Sequence, residues 1–279
     1  MNYRHSFHAG NFADIFKHAI LALCLEHLRE KPSPFRVIDT HAGAGRYDLA
    51  GVEAGKTLEW ADGIGRLVGV DAPPIPAAAA PLLAPFLDIV RAENPDGRLT
   101  SYPGSPAIAR AMLRAGDRLV VNELHPDEHA ALAGHFRGDS QVKVLALDGW
   151  TAVKALLPPK ERRGLVLIDP PFEDRDDFEK LAQALGEARR RFASGTYLLW
   201  RPIKDPASGD AFHARAAESG IEKMLQTELT IRAADPARLT GCAMLIVNPP
   251  WTLREKLEVL GPFLAERLAQ GPGGAFTLR

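Results

Sequence analysis

The chain has 279 residues, 46% of them hydrophobic and 25% charged, enough to bury a full core in one large α/β domain that folds unaided. Lys+Arg 34 against Asp+Glu 35 leaves a net charge of −1, so composition does not announce a nucleic-acid binder. Cys24 and Cys242 lack metal-ligand or disulfide spacing, no segment approaches the roughly 20 apolar residues of a membrane span, and the N-terminus has no signal-peptide stretch, which predicts a cytoplasmic protein without metal or membrane contact.

An amphipathic helix is predicted over about Ala13 to Lys31, with Ile15, Phe16, Ala19, Leu23 and Leu28 on one stripe and Pro32 and Pro34 ending it. Phe35 to Thr40 reads as a buried central strand running into the glycine loop His41-Ala42-Gly43-Ala44-Gly45. Residues 48–98 change character to short Leu, Ala and Pro pieces and are predicted to form a small helical insertion subdomain. A weak strand over Leu99 to Tyr102 precedes a helix over Pro106 to Arg114, with Ser105 as candidate N-cap. Arg118 to Glu123, Val142 to Leu147, Gly164 to Ile168 and Thr196 to Trp200 are short apolar runs with room for helices between several of them, the pattern of parallel βαβ units in a doubly wound sheet. Lys223 to Arg232 and Cys242 to Val247 close the chain as an antiparallel hairpin around Asp235 and Pro236. Two basic clusters, Lys160/Arg162/Arg163 and Arg189/Arg190/Arg191, read either as solvated surface charge or as one basic face on a neutral protein.

Ligands of open α/β sheets bind beyond the carboxyl ends of the strands, so the residues that follow each strand carry the functional signal. Gly43 and Gly45 allow backbone to pass close to a cofactor, although a Gly-Ala-Gly turn alone is weak evidence. Glu123 can accept hydrogen bonds from both hydroxyls of a ribose. Asp148 can accept from an adenine amine while the Gly149 N–H donates to the ring. The sharpest signal is Asp169-Pro170-Pro171-Phe172. Consecutive prolines stiffen the chain and leave its carbonyls free to accept, so the Asp169 carboxylate and the Pro170 carbonyl can take the two hydrogens of an amine while Phe172 stacks on the base that carries it. Asn248-Pro249-Pro250-Trp251 matches the same pattern but follows the final hairpin strand, remote from the presumed cofactor strands, and is read as structural.

Taken in this order, the glycine loop, the acidic strand ends and Asp-Pro-Pro-Phe resemble class I methyltransferases of the N6-adenine type. The run Tyr3-Arg4-His5-Ser6-Phe7-His8-Ala9-Gly10-Asn11, then Lys17-His18, Asp39 to Tyr47, Tyr102 to Pro106 and Glu123-Leu124-His125-Pro126, resembles the RlmJ family over essentially the whole chain. That family methylates an adenine of bacterial 23S ribosomal RNA. The resemblance implies one methyltransferase domain over 1–279 with a Rossmann-like, mostly parallel seven-stranded sheet. It implies S-adenosylmethionine as cofactor, held through His18, His41, Ser105, Glu123, Asp148, Gly149 and Asp169, with Asp169 also catalytic. It further implies contact of Tyr3 with the RNA. Arg4, His5 and His8 beside Tyr3 make the segment before the first helix a candidate RNA contact that serves the substrate rather than the fold. Phe172 departs from the Tyr usual in the family's motif, which keeps stacking but removes a phenolic hydroxyl. The expected substrate is free or early-assembly 23S ribosomal RNA, acted on by a monomer; methylation of DNA adenine or of a protein glutamine are the competing readings.

Overall fold

The computed structural model describes residues 4–174, 176–203, 212, 220–235 and 238–279. Helix α1 (Phe12–Glu30) is started by Asn11, whose side chain accepts from the Ala13 and Asp14 N–H groups. The predicted apolar stripe is wider than expected, because every residue from Phe12 to Leu25 is buried, Asp14, Lys17 and His18 included. Neighbouring helices account for this: α5 (Ala80–Glu93) and α6 (Ser105–Ala111) both pack against it.

The core is one sheet of strands β1 (Arg36–Asp39), β4 (Arg118–Asn122), β5 (Val142–Leu145), β6 (Gly164–Ile168), β7 (Thr196–Ile203), β8 (Met224–Thr230), β9 (Gly241–Val247) and β10 (Ala275–Leu278). Their order is β10-β8-β9-β7-β6-β1-β4-β5. The first five pair in parallel, β9 runs antiparallel between β7 and β8, and β10 lies antiparallel on β8. Among the described residues the sheet therefore has eight strands, not the expected seven. The extra strand β10 is four partly exposed residues behind a glycine-rich turn, too short to show a strand pattern, and its pairing with β8 makes it one.

Strand β2 (Arg46–Asp48), unforeseen, pairs with β3 (Ser101–Pro103) in a separate two-stranded ribbon, so the weak strand near Leu99 does not join the main sheet. This ribbon clasps the two ends of the intervening segment. Between them lie α2 (Val52–Thr57), α3 (Glu59–Asp62), α4 (Gly65–Val68) and α5, whose Leu83, Phe86, Leu87 and Val90 belong to the same apolar core as α1. Helices α7 (Pro126–His135), α8 (Gly149–Leu156) and α9 (Asp177–Arg191) connect the parallel strands, and α10 (Leu253–Arg267) packs on β8 and β10.

The strand order reverses at β1, which has β4 on one side and β6 on the other. That is where an open α/β sheet forms its crevice. At the carboxyl end of these strands the loops are sewn together by Asn122. Its side chain donates to the Thr40 and Leu147 carbonyls and accepts from the Leu147 N–H, while the Ala42 N–H donates to its backbone carbonyl. The two Pro-Pro loops end up at opposite ends of the sheet. Asp169 follows β6 at the carboxyl end. Val247 pairs with Tyr197 near the start of β7, so Asn248 lies at the other end, where its side-chain amide donates to the Ala193 and Gly195 carbonyls.

Candidate active site

A cavity of about 1210 Å³ opens at the carboxyl end of the parallel strands. His18, His41, Gly43, Ser105, Glu123, Asp148, Gly149, Asp169, Pro170 and Phe172 all line it, so residues up to 154 positions apart in the chain (His18 to Phe172) converge on one space. Gly45 is not on its wall; it lies behind, with its carbonyl accepting from the Gly104 N–H. Arg4 is outside the cavity as well and pairs with Glu53 and Asp127. Tyr3 lies outside the described residues.

The glycine positions have steric reasons. Gly43 has φ +59, and a Cβ there would stand 2.1 Å from the Tyr47 hydroxyl oxygen; one on Gly149 would stand 2.2 Å from His41 Nε2. The carboxylates that follow the strands are anchored yet retain acceptor capacity. Glu123 accepts from the Gly43 N–H through Oε2 and from the His125 N–H through Oε1, both at 2.8 Å, which leaves lone pairs on each oxygen. Asp148 caps α8 by accepting from the Thr151 N–H, and Gly149, the first residue of that helix, has an N–H without an intrahelical acceptor. Ser105 is not the cap of α6: Gly104 holds that position, and the Ser105 hydroxyl donates to the buried Asp39 carboxylate at 2.6 Å. Burial pushes Asp39 up to about 6.

Asp169 is held by a residue that the sequence pattern did not single out. Lys17 Nζ donates to Asp169 Oδ2 at 2.5 Å and to Asp14 Oδ1 at 2.9 Å. Asp14 also accepts from His5 Nε2 and the Gly10 N–H, both at 2.9 Å. Burial opposes charge on both partners, but His5, Lys17 and His18 outweigh it and hold Asp14 well below the usual carboxylate range, while Asp14 and Asp169 raise Lys17. Asp14, Lys17 and His18 share one helical face by their i, i+3, i+4 spacing, and charged residues inside a run otherwise read as core were the signal available in the sequence. The Asp14 links also bind the N-terminal segment to the fold. With His8 on Glu59 and the Thr57 hydroxyl on the Phe7 carbonyl, that segment is part of the folded structure, contrary to the expectation that it serves the substrate alone. Phe172 adopts φ +50, a left-handed conformation rare for a bulky residue, and its ring packs on Phe178 and Trp200.

His18 shares a 2.7 Å hydrogen bond with the Tyr102 hydroxyl through Nδ1, and its buried Nε2, 3.9 Å from Asp14 Oδ1, has no hydrogen-bond partner among the described residues. Burial pushes His18 down to about 3 and His41 down to about 4. Both are therefore neutral at pH 7. An imidazole that cannot take its proton in the folded state contributes stability above the ordinary pKa near 6.5, and this is lost as pH falls toward its folded value. Asp39, raised to about 6, and Glu128, raised by burial, act in the opposite sense below about pH 6, against two histidines whose shifts span the whole window. The urea midpoint is expected to fall between pH 6.5 and 4, with a shallower slope in His18→Gln. A flat profile, or one unchanged by the substitution, would contradict a neutral buried pair.

A crevice at the switch point of a doubly wound sheet, furnished with a glycine loop, a ribose-competent carboxylate, an adenine-competent Asp-Gly pair and an Asp-Pro-Pro-Phe loop, defines a class I methyltransferase using S-adenosylmethionine. The residues fit that cofactor, since the orphaned His18 Nε2 and Glu128 Oε2 are buried polar atoms at a cavity wall that a polar ligand can satisfy. The family described as "Ribosomal RNA large subunit methyltransferase D, RlmJ" matches residues 32–278, and the chain belongs to it. It is 40% identical to Ribosomal RNA large subunit methyltransferase J of Escherichia coli (strain K12) over 100% of this chain and 98% of the relative. Identity to the protein of the same name from Haemophilus influenzae (strain ATCC 51907 / DSM 11121 / KW20 / Rd) is 41%, with the same coverage. A crystal structure of a protein from Legionella pneumophila str. Philadelphia 1 superposes with TM-score 0.88 at 32% identity, covering 98% of both chains. Among the described residues no helix is long and apolar enough to cross a membrane.

Proposed function

We propose that the enzyme methylates the exocyclic N6 amine of an adenine in 23S ribosomal RNA, taken as free or early-assembly RNA by a monomer. The observation that carries this reading is the Asp169-Pro170-Pro171-Phe172 loop at the carboxyl end of β6, on the same cavity as the cofactor-competent residues. The names of the relatives and of the family, which specify large-subunit ribosomal RNA, support the substrate class.

His18, His41, Gly43, Ser105, Glu123, Asp148, Gly149 and Asp169 hold the cofactor in this reading, and Tyr3, Arg4 and Phe172 meet the RNA. Bound S-adenosylmethionine supplies an electrophilic methyl group. The chain's own residues prepare the nucleophile. The adenine N6 lone pair is delocalised into the ring and becomes available as the amine bends toward tetrahedral geometry. With Oδ2 committed to Lys17, Asp169 presents Oδ1 to one amine hydrogen and the Pro170 carbonyl takes the other, favouring the bent form. Phe172, fixed by Phe178 and Trp200, offers a face on which the base stacks. A carboxylate is far too weak a base to deprotonate a neutral aromatic amine, so the proton leaves only after the methyl has arrived.

Mass mapping of modified adenines in ribosomal RNA from cells with and without the protein tests the reading. Loss of a single N6-methyladenine from 23S RNA is the expected result, and an unchanged map would refute it. Glu123→Ala tests the cofactor assignment: calorimetry should show both S-adenosylmethionine and its demethylated product binding more weakly by roughly 1.5 to 3 kcal/mol, about 10- to 150-fold. A melting curve is needed alongside, because Glu123 also anchors the Gly43 and His125 backbone.

A further inference from the structure

An RNA substrate brings phosphates to a cavity whose wall is rich in acid. Among the described residues carboxylates outnumber Lys and Arg along it, and two of these cations are already neutralised: Lys17 between Asp14 and Asp169, and Lys180 among Asp174, Asp176 and Asp177. The basic clusters visible in the sequence do not help, since both lie at the opposite end of the sheet. Arg162 and Arg163 directly precede β6, and Arg163 is spent on the Leu28 and Ser33 carbonyls. Arg189 to Arg191 end α9 just before β7 begins, with Arg190 and Arg191 on Glu187.

Two cations remain on the cavity wall, and neither pairs with a carboxylate among the described residues: Arg232 and Arg238. Both sit on the connection from β8 to β9. Because β8 runs parallel to β7, this connection rises at the same end as Asp169 and Phe172. Its base is well braced. The Ile231 N–H donates to the Thr240 carbonyl, the Gln270 N–H to the Ile231 carbonyl, and the Arg232 guanidinium to the Gln270 side-chain oxygen. Arg232 Nε is buried and has no acceptor among the described residues, whereas Arg238 is exposed. A braced guanidinium with an unused donor beside a solvated one, on the rim of an acidic cavity, suits an anion that approaches from outside.

We infer that Arg232 and Arg238 form a phosphodiester-binding rim that grips the RNA backbone next to the reacting adenosine and draws it across the acidic mouth. This deepens the proposed function and rests on RNA being the substrate. The probe is an in vitro transcript carrying the mapped adenine, bound in the presence of demethylated cofactor and followed by fluorescence anisotropy over a salt series. Arg238→Ala is expected to weaken binding about 3- to 10-fold at low salt and to reduce the slope of log affinity against log salt by about 0.7 to 0.9. Arg238→Glu should weaken it more, Arg238→Lys should recover most of it, and Arg232→Ala/Arg238→Ala should lose both increments. Methyl transfer at saturating transcript should stay within about two-fold of the parent enzyme, placing the effect in RNA capture rather than chemistry. An Arg238→Ala enzyme with parental affinity and salt slope would overturn the inference, and since Arg238 is exposed that variant decides even if Arg232→Ala fails to fold. Failure of the parent enzyme to methylate the transcript would instead count against the proposed function.

Discussion

Asp169→Asn is expected to lower single-turnover methylation of an RNA fragment about 100-fold or more, the loss typical of a preorganised electrostatic group at a reacting centre. The amide keeps the shape of the carboxylate and one acceptor oxygen, but it removes the negative charge and can turn a donor toward the amine. Lys17 retains Asp14 as a partner, so the variant should fold. Cofactor binding must be measured separately because Asp169 lies on the same cavity wall. Asn248→Ala supplies the contrast: its side chain holds the Ala193 and Gly195 carbonyls at the far end of the sheet, and its φ of +49 suits Asn better than Ala. That change should reduce stability and leave turnover nearly intact. A silent Asp169→Asn beside a folded but inactive Asn248→Ala would move the active site to the second loop.

The largest stability effect is expected at Asp14. Its carboxylate is 1% exposed and accepts from His5, the Gly10 N–H and Lys17, so Asp14→Ala strands a buried donor and removes one of the two counter-charges of Lys17. Breaking a buried pair from one side costs about 3 to 5 kcal/mol, which for a chain of this size lowers Tm on the order of 10 °C. Adding Lys17→Met should restore part of the loss, because it removes the stranded cation. A loss under about 1 kcal/mol in urea denaturation would show that the network contributes little. Residues before Phe12 bear on the same network, and truncating them is expected to destabilise as well, since His5 and the Gly10 N–H are lost to Asp14 and the Asn11 cap is lost to α1.

Local chemistry made much of the site legible. Glu123, Asp148 and Asp169 were identified as the residues that follow apolar runs, and a parallel sheet delivers such residues to one edge whatever its strand order. The rigid Pro170-Pro171 pair marked its own loop. Lys17 and Asp14 escaped because a helix covered on all sides has no polar face on which to assign them, and their pairing spans 152 residues in the case of Asp169. Asn122 escaped for a similar reason. Its neighbours Thr40 and Leu147 come from loops that only the sheet brings together.

The sequence by itself determined where helix α1 and the main strands other than β10 lie, because side-chain periodicity and proline and glycine punctuation act over a few residues. It also determined the chemistry at the end of β6, because Asp-Pro-Pro-Phe is contiguous. Tertiary structure decided what depends on partners distant in the chain. It made 275–278 a strand through pairing with β8, and it placed the second Pro-Pro loop at the opposite end through the antiparallel direction of β9. It also put Arg189 to Arg191 at the far end of the sheet from the cavity while raising Arg232 and Arg238 to its rim. Strand direction and order are properties of the assembled sheet, so which arginines border the cavity depends on the end of that sheet they occupy and not on their local sequence.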